Sequence, residues 1–222
     1  MAPRRKPAQP LEKTSSTDAG RETEVRIIGG HFRGRRLRYH GDPIVRPMKH
    51  RVREAIFNLI STESTGRHVI DLFAGTGALG LEALSRGATS ATFIERHVPS
   101  AHAVEENIAT LGLQDRAKLL VTSTFVWCKR DLPSADSGPP TDRPWLVFCS
   151  PPYDFFVDRR EEMAELIRRI VEHAPPESVI VVEADQRIDW QPPVGDNRAA
   201  WDIREYPPAV VGIWRLGHQQ KG

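Results

Sequence analysis

Residues 69–84 read VIDLFAGTGALGLEAL. Val69 and Ile70 form an apolar, β-branched run that Asp71 closes. Gly75, Gly77 and Gly80 then follow as G-x-G-x-x-G, and Ala78 opens a series of good helix formers. Strand, glycine turn and helix are the context this motif requires: the glycines permit a tight turn, close approach of the backbone to a ligand and close helix packing. Working outward, further strands are predicted at SATFIE (90–95), KLLVT (118–122), WLVFCS (145–150) and SVIVVEA (178–184), beside HVIDLF (68–73). Helical spacing is read from about Ala78 to Ser85, Pro99 to Leu111, Thr124 to Arg130 and Asp158 to Glu172. Four successive strand-then-helix units imply a mostly parallel sheet covered on both faces. The final AAWDIREYPPAVVGIWRLG (199–217) holds two β-like runs joined only by Pro207 and Pro208, so a terminal antiparallel pair should close the sheet. DLPSADSGPPTDRP (131–144) is polar and Pro-rich, and reads as an exposed loop.

Toward the amino terminus the text changes character. Residues 1–24 lack periodic apolar positions and read as a disordered leader. VRIIGGHFRGRRLRYH (25–40) suggests a hairpin with a glycine-rich turn. In KHRVREAIFNLIS (49–61), Val52, Ile56, Leu59 and Ile60 fall at helical spacing beyond Pro47. The expected organisation is a leader (1–24), a basic hairpin and helix (25–62) and a main domain (63–218). The 222-residue chain has 39% hydrophobic and 27% charged side chains, which excludes collagen, coiled coil and wholesale disorder. It has no apolar run long enough to span a bilayer and no signal-peptide core, so a cytoplasmic protein without membrane contact is expected. Cys128 and Cys149 have no metal-ligand spacing to a His or Cys, so neither a metal site nor a disulfide framework is predicted. They read as buried thiols.

The net charge of +2 conceals an asymmetry. Between residues 26 and 53 stand Arg26, Arg33, Arg35, Arg36, Arg38, Arg46, Lys49, Arg51 and Arg53 against one acid, Asp42, and the remainder beyond residue 53 is net acidic. Arginine forks suit phosphate bidentately, and a concentrated positive field steers polyanions. Nucleic-acid contact is the expectation.

Two details bear on the ligand of the glycine loop. Asp71 would repel a pyrophosphate but could accept hydrogen bonds from an ammonium group. Glu95 ends the next strand, 20 residues after Gly75, where an acid can take both ribose hydroxyls. A ribose with a cationic amino-acid tail describes S-adenosylmethionine better than a nicotinamide dinucleotide. After the fourth strand stands CSPPYDFF (149–156), in which Ser150, Pro151, Pro152 and Tyr153 match the (D/N/S)-P-P-(Y/F/W) signature of methyltransferases acting on exocyclic amines. Such an amine is a poor nucleophile because its lone pair is delocalised into the ring. Acceptors aimed at its hydrogens hold it in line with the methyl donor and favour pyramidalisation. Ser150 and a carbonyl of the proline pair could be those acceptors, and Tyr153 could stack on the base. Glu183 ends a hydrophobic strand at the same sheet edge, where ligands collect. The histidines, among them His31, His40, His50 and His68, read as surface or loop residues, and the five tryptophans as packing residues.

Taken together, RIIGGHFRGRRL, RPMKHRVREAIFNLI, DLFAGTGALGLEALSRGA, FIER, ENIATLG and SPPY stand in the order and spacing of a known family. The chain, over about residues 25–216, resembles the RsmD-type 16S rRNA (guanine-N2)-methyltransferases. That resemblance implies an α/β, Rossmann-like class I methyltransferase fold with a seven-stranded sheet, S-adenosylmethionine as donor and a guanine of small-subunit rRNA as acceptor. It implies donor contacts from Asp71, Phe73, Gly75, Gly77, Glu95 and Ser123, and base contacts from Ser150 to Tyr153. It also implies rRNA contacts from Arg33, Arg35, Arg36, Arg46, Arg51 and Arg53. The expected partner is 16S rRNA or an assembling small subunit, met by a monomer. Three positions depart from the family pattern: Ser150 replaces Asp or Asn, Ser123 or a neighbour stands where an acid or amide meets the adenine, and Met48 follows Arg46-Pro47 in place of Thr. An assembly factor that binds rRNA without methylating it, and an amino-methyltransferase of another nucleic acid, therefore remain alternatives.

Overall fold

A computed structural model describes residues 25–39, 50–188, 190 and 201–217. The predicted leader, and with it Arg46, Pro47, Met48 and Lys49, lies outside the described residues. A two-stranded antiparallel pair, β1 (Val25–Arg26) and β2 (Arg36–Leu37), precedes helix α1 (His50–Ile60). The alternation then runs β3 (His68–Asp71), α2 (Ala78–Ser85), β4 (Ser90–Glu95), α3 (Val98–Thr110), β5 (Ala117–Val121), α4 (Thr124–Arg130) and β6 (Trp145–Cys149). It ends with α5 (Phe155–Asp158), α6 (Arg160–His173), β7 (Val179–Asp185), β8 (Trp201–Tyr206) and β9 (Ala209–Arg215).

Seven strands form one sheet in the order β5-β4-β3-β6-β7-β9-β8. The first five are parallel, and β9 joins antiparallel to both β7 and β8. The predicted class and the closing antiparallel pair are both present. Strands β3 and β6 are buried at every position, which explains why they read as unbroken apolar runs: helices cover both faces. Alternate residues divide between two cores. Val69, Leu146, Phe148, Val179 and Val181 face α1, α2 and α3, whereas Ile70, Val147, Ile180 and Val182 face α4 and α6.

Strand order reverses between β3 and β6, because β3 pairs with β4 on one side and with β6 on the other. A crevice opens at the carboxyl ends of strands at such a switch point, and ligands collect there.

The amino-terminal hairpin has no core of its own. Val25, Ile27, Leu37, Val52, Ile56, Phe57 and Ile60 belong to the same apolar cluster as β3, β4 and α2. Its turn is stitched to α2, whose Glu82 accepts the Ile28 and Gly29 amides at 2.6 and 2.8 Å. Ser85 takes His31 N–H on its carbonyl at 2.8 Å and Phe32 N–H on its hydroxyl at 2.9 Å. Gly30 has φ +74°, and a Cβ there would lie 2.0 Å from the Ser85 carbonyl oxygen, so this approach requires glycine.

Two expectations are corrected. His68 is buried on β3, bonded to the Ser90 and Thr92 hydroxyls at 2.8 and 3.1 Å, and burial holds its imidazole down at about 4. The single helix read from Asp158 to Glu172 divides at Arg159, where the backbone leaves helical geometry (φ −127°, ψ 34°). Both cysteines are buried and free, and Trp127, Trp145, Trp201 and Trp214 are packing residues as read. Among the described residues no helix is long and apolar enough to cross a membrane.

Candidate active site

The glycine loop and the Ser-Pro-Pro-Tyr segment leave the sheet side by side. Asp71 of β3 stands in register with Phe148 of β6, so each motif begins within two residues of the same level. They flank the switch point.

On the β3 side, Gly75 and Gly77 adopt positive φ (53° and 74°), and Gly77 N–H returns to the Ala74 carbonyl at 2.6 Å. Gly80 lets α2 lie on the sheet, since a Cβ there would sit 2.3 Å from the Phe93 ring. Two acids organise this loop. Glu95 accepts Gly75 N–H at 2.8 Å and His97 N–H at 2.7 Å, one on each oxygen, at the position 20 residues downstream that the sequence singled out. Asp71 is buried beneath the loop and accepts Gly80 N–H at 3.0 Å. Burial, reinforced by the charge of Glu95, raises its carboxyl to about 7 despite that hydrogen bond. One oxygen of Asp71 is thus engaged by α2 rather than turned wholly toward a ligand. Ser123 caps the amino end of α4 past β5 without using its hydroxyl on the cap, and the neighbouring Thr124 hydroxyl donates to the Leu72 carbonyl.

On the β6 side, Cys149 is in register with Val182 of β7, which places Ser150 beside Glu183. The Ser150 hydroxyl donates to Glu183 Oε2, and the Tyr153 hydroxyl donates to Oε1 at 2.5 Å. Glu183 is 5% exposed, and burial pushes its carboxyl above the usual range although both hydroxyls oppose the shift. Burial and the Glu183 charge together push the Tyr153 phenol up. The Pro152 carbonyl accepts Phe155 N–H at 2.9 Å, closing a turn into α5.

An aromatic cluster joins the two sides. The rings of Phe73, Phe125 and Phe155 stand 6.1 Å apart pairwise, and the Arg159 guanidinium lies 3.9 Å from the Phe125 centroid and 5.1 Å from that of Phe155. Val98, Val121, Val126 and Val157 are exposed, each at or within a few residues of the carboxyl-end side of the sheet. Charged residues are exposed among them, Arg96 beyond β4 and Asp154 and Asp158 around α5, so this end of the sheet presents both apolar and charged groups.

The basic segment divides. Arg33, Arg35, Arg36 and Arg51 are exposed. Arg53 is not a surface contact: it is 2% exposed and gives its guanidinium to the Arg26 carbonyl at 2.6 Å, with its charge near Glu82. Its helical position, one residue from Val52 on the buried face of α1, places it inside. Arg46 lies outside the described residues.

Sequence reasoning had no role for Glu82 and Asn107. Asn107 takes Arg38 N–H on its Oδ1 at 2.7 Å and donates to the carbonyls of Arg38 and Thr76 at 3.1 and 3.3 Å, linking the basic strand to the glycine loop. The available signal for Glu82 was an acid inside a helix that is apolar all round.

The family model described as conserved hypothetical protein 95 matches residues 25–205. The chain is 35% identical over 177 residues to ribosomal RNA small subunit methyltransferase D of Escherichia coli K12, covering 79% of this chain and 80% of that protein. It is 32% identical to a putative rRNA methyltransferase, YlbH, of Bacillus subtilis, covering 78% and 89% respectively. Among solved structures it is similar to a putative methyltransferase of E. coli, yhhF, with TM-score 0.67 and 29% identity over 88% of this chain and 99% of that one. An RNA methyltransferase from Salinibacter ruber in complex with S-adenosyl-L-homocysteine shares the fold, with TM-score 0.55 at 16% identity over 80% and 98%. With the matched model spanning the hairpin, the glycine loop and the Ser-Pro-Pro-Tyr segment, the chain belongs to the RsmD family of class I methyltransferases.

Proposed function

We propose that this protein transfers a methyl group from S-adenosylmethionine to the N2 exocyclic amine of a guanine in small-subunit rRNA. The observation that carries the reading is the placement of the Glu95-braced glycine loop and Ser150 to Tyr153 at the carboxyl ends of adjacent strands, β3 and β6. Relatives named as rRNA methyltransferases, at 35% and 32% identity, support methyl transfer to rRNA.

The residues present suit the donor. Gly75 and Gly77 keep side chains out of the loop, Glu95 offers carboxylate lone pairs for hydroxyls, and the buried Asp71 has one oxygen beyond its Gly80 bond with which to accept from an ammonium group, whose charge would favour its ionised form. Phe73 supplies an apolar wall. When bound, the donor supplies an electrophilic methyl on a sulfonium. The chain does the rest by position. Ser150 Oγ accepts a hydrogen from the amine and holds the nitrogen in line. With the Pro152 carbonyl engaged by Phe155, the Pro151 carbonyl is the second acceptor. Tyr153 stacks on the base, and Arg33, Arg35, Arg36 and Arg51 meet phosphates. The reading of a binding protein without activity is weakened by Glu183, which places a carboxylate directly against Ser150.

Titration calorimetry with S-adenosylmethionine tests the donor half. Saturable binding is expected, tighter for the demethylated product-like thioether than for unrelated nucleosides. Absence of heat at millimolar ligand would remove the assignment.

A further inference from the structure

Glu183 poses an energetic question. It is buried, and among the described residues no Lys or Arg forms an ion pair with it. A buried carboxylate without a cation is costly to keep charged, and a glutamine could pin the same two hydroxyls at lower cost. The neighbouring acid Asp185 is neutralised by Arg187 at 2.7 Å, so the next acid along β7 does not share this situation.

The geometry around it is specific. A hydroxyl has one hydrogen to give and two lone pairs. Ser150 gives its hydrogen to Glu183 Oε2, and Tyr153 gives its own to Oε1. Ser150 Oγ is therefore left as an acceptor only toward any further partner, polarised by the carboxylate that takes its hydrogen. Parallel pairing of β6 and β7, with Cys149 opposite Val182, fixes this juxtaposition from the backbone.

We propose that Glu183 is a positioning residue for methyl transfer: acting through the Ser150 hydroxyl, it supplies the negative charge and the final proton acceptor that serine at position 150 lacks. The proposal rests on the reading of the acceptor as an exocyclic amine. The step balances. As the methyl carbon leaves sulfur and bonds to the amine nitrogen, that nitrogen becomes cationic. One N–H proton passes to Ser150 Oγ while the serine's own proton passes to Glu183 Oε2. The sulfonium charge and the carboxylate charge disappear together, leaving a thioether, a secondary amine and a carboxylic acid that returns its proton to water. Burial, which raises the Glu183 carboxyl, makes it a better proton acceptor than an exposed glutamate.

Single-turnover methyl transfer to small-subunit rRNA, measured beside donor affinity for each variant, tests this. Glu183→Gln should lower the transfer rate by roughly 10–100-fold with donor and RNA affinity within about twofold of wild type. Ser150→Asp should slow the wild-type protein, since two carboxylates would then compete for one proton, yet restore most of the rate in the Glu183→Gln background. Ser150→Ala, which leaves Glu183 and its strand in place, should lose about as much as Glu183→Gln, and the double variant no more than either. An unchanged rate in Glu183→Gln or in Ser150→Ala overturns the proposal. So does a Glu183→Gln loss that Ser150→Asp does not recover, or one matched by loss of donor affinity, because either makes Glu183 a purely structural brace. If wild-type protein methylates rRNA at a site other than an exocyclic amine, the acceptor reading fails, and the relay fails with it.

Discussion

Asp71 shows how a single residue is held against its own preference. Its carboxyl is buried, raised to about 7 by burial with Glu95 adding to the rise, and steadied by one backbone N–H from Gly80. An acid whose folded-state value lies above its unfolded value binds more protons when folded, so its contribution favours folding at low pH and is lost as pH rises from about 4 through 7. Asp71→Asn keeps an oxygen for Gly80 and removes the ionisation. The variant should therefore gain stability over wild type between pH 5 and pH 8 by about 1 kcal/mol or more, a Tm difference of roughly 2–4 °C. Donor affinity should fall at the same time if the charge is kept for a cationic ligand. Paired thermal melts at the two pH values check the first part: a Tm difference that does not grow with pH would contradict the assignment. Asp71, Glu95 and Ser150 were legible in the sequence because each occupies a fixed offset from a glycine or proline that punctuates the chain. What each bonds to was not. The Glu183 contact with Ser150 and Tyr153 depends on strand neighbours 33 and 30 residues apart in sequence, which only the β6–β7 register brings together.

At the scale of elements, periodicity located most helices and strands within a residue or two, because strands buried on both faces and helices between glycines announce themselves. It failed where a side chain interrupts a regular pattern. Arg159 leaves helical geometry and lays its guanidinium on Phe125 and Phe155, an arrangement no apolar spacing encodes. The basic hairpin was legible as a hairpin, while its anchoring on Glu82, Ser85 and Asn107 of two later helices was not. That anchoring bears on the proposed RNA contact. A hairpin stitched to α2 holds Arg33, Arg35 and Arg36 at a fixed place relative to the glycine loop that precedes the same helix. Changing these three exposed residues together to Ala should leave Tm within a degree or two but weaken RNA binding similarly for all sequences. The slope of log affinity against log salt should shrink by roughly 0.7 for each single-strand phosphate that is no longer neutralised. An unchanged slope would return these residues to a solvated face. Arg53→Ala should instead lower stability, because its guanidinium is buried against the Arg26 carbonyl.

For the whole molecule, one apolar cluster runs from Val25 and Ile27 of the hairpin through Ile56 and Phe57 of α1 to Val69 and Phe93 of the sheet. The basic segment and the strands that carry the candidate site therefore share a core, so that, on the proposed function, RNA bound by one would be held at a set distance from the other. Of the basic start seen in the sequence, Arg33, Arg35, Arg36 and Arg51 are exposed in the folded chain, where their charge can act on a polyanion. On the proposed function, the exposed arginines deliver a guanine amine to Ser150 and Tyr153. Small-subunit rRNA from a strain lacking the gene, incubated with the purified protein and S-adenosylmethionine carrying an isotopically labelled methyl group, then digested to nucleosides for mass spectrometry, tests it most directly. Labelled N2-methylguanosine is the expected product, abolished in Tyr153→Ala. Label in another nucleoside, or none in rRNA at all while the donor binds, would contradict it.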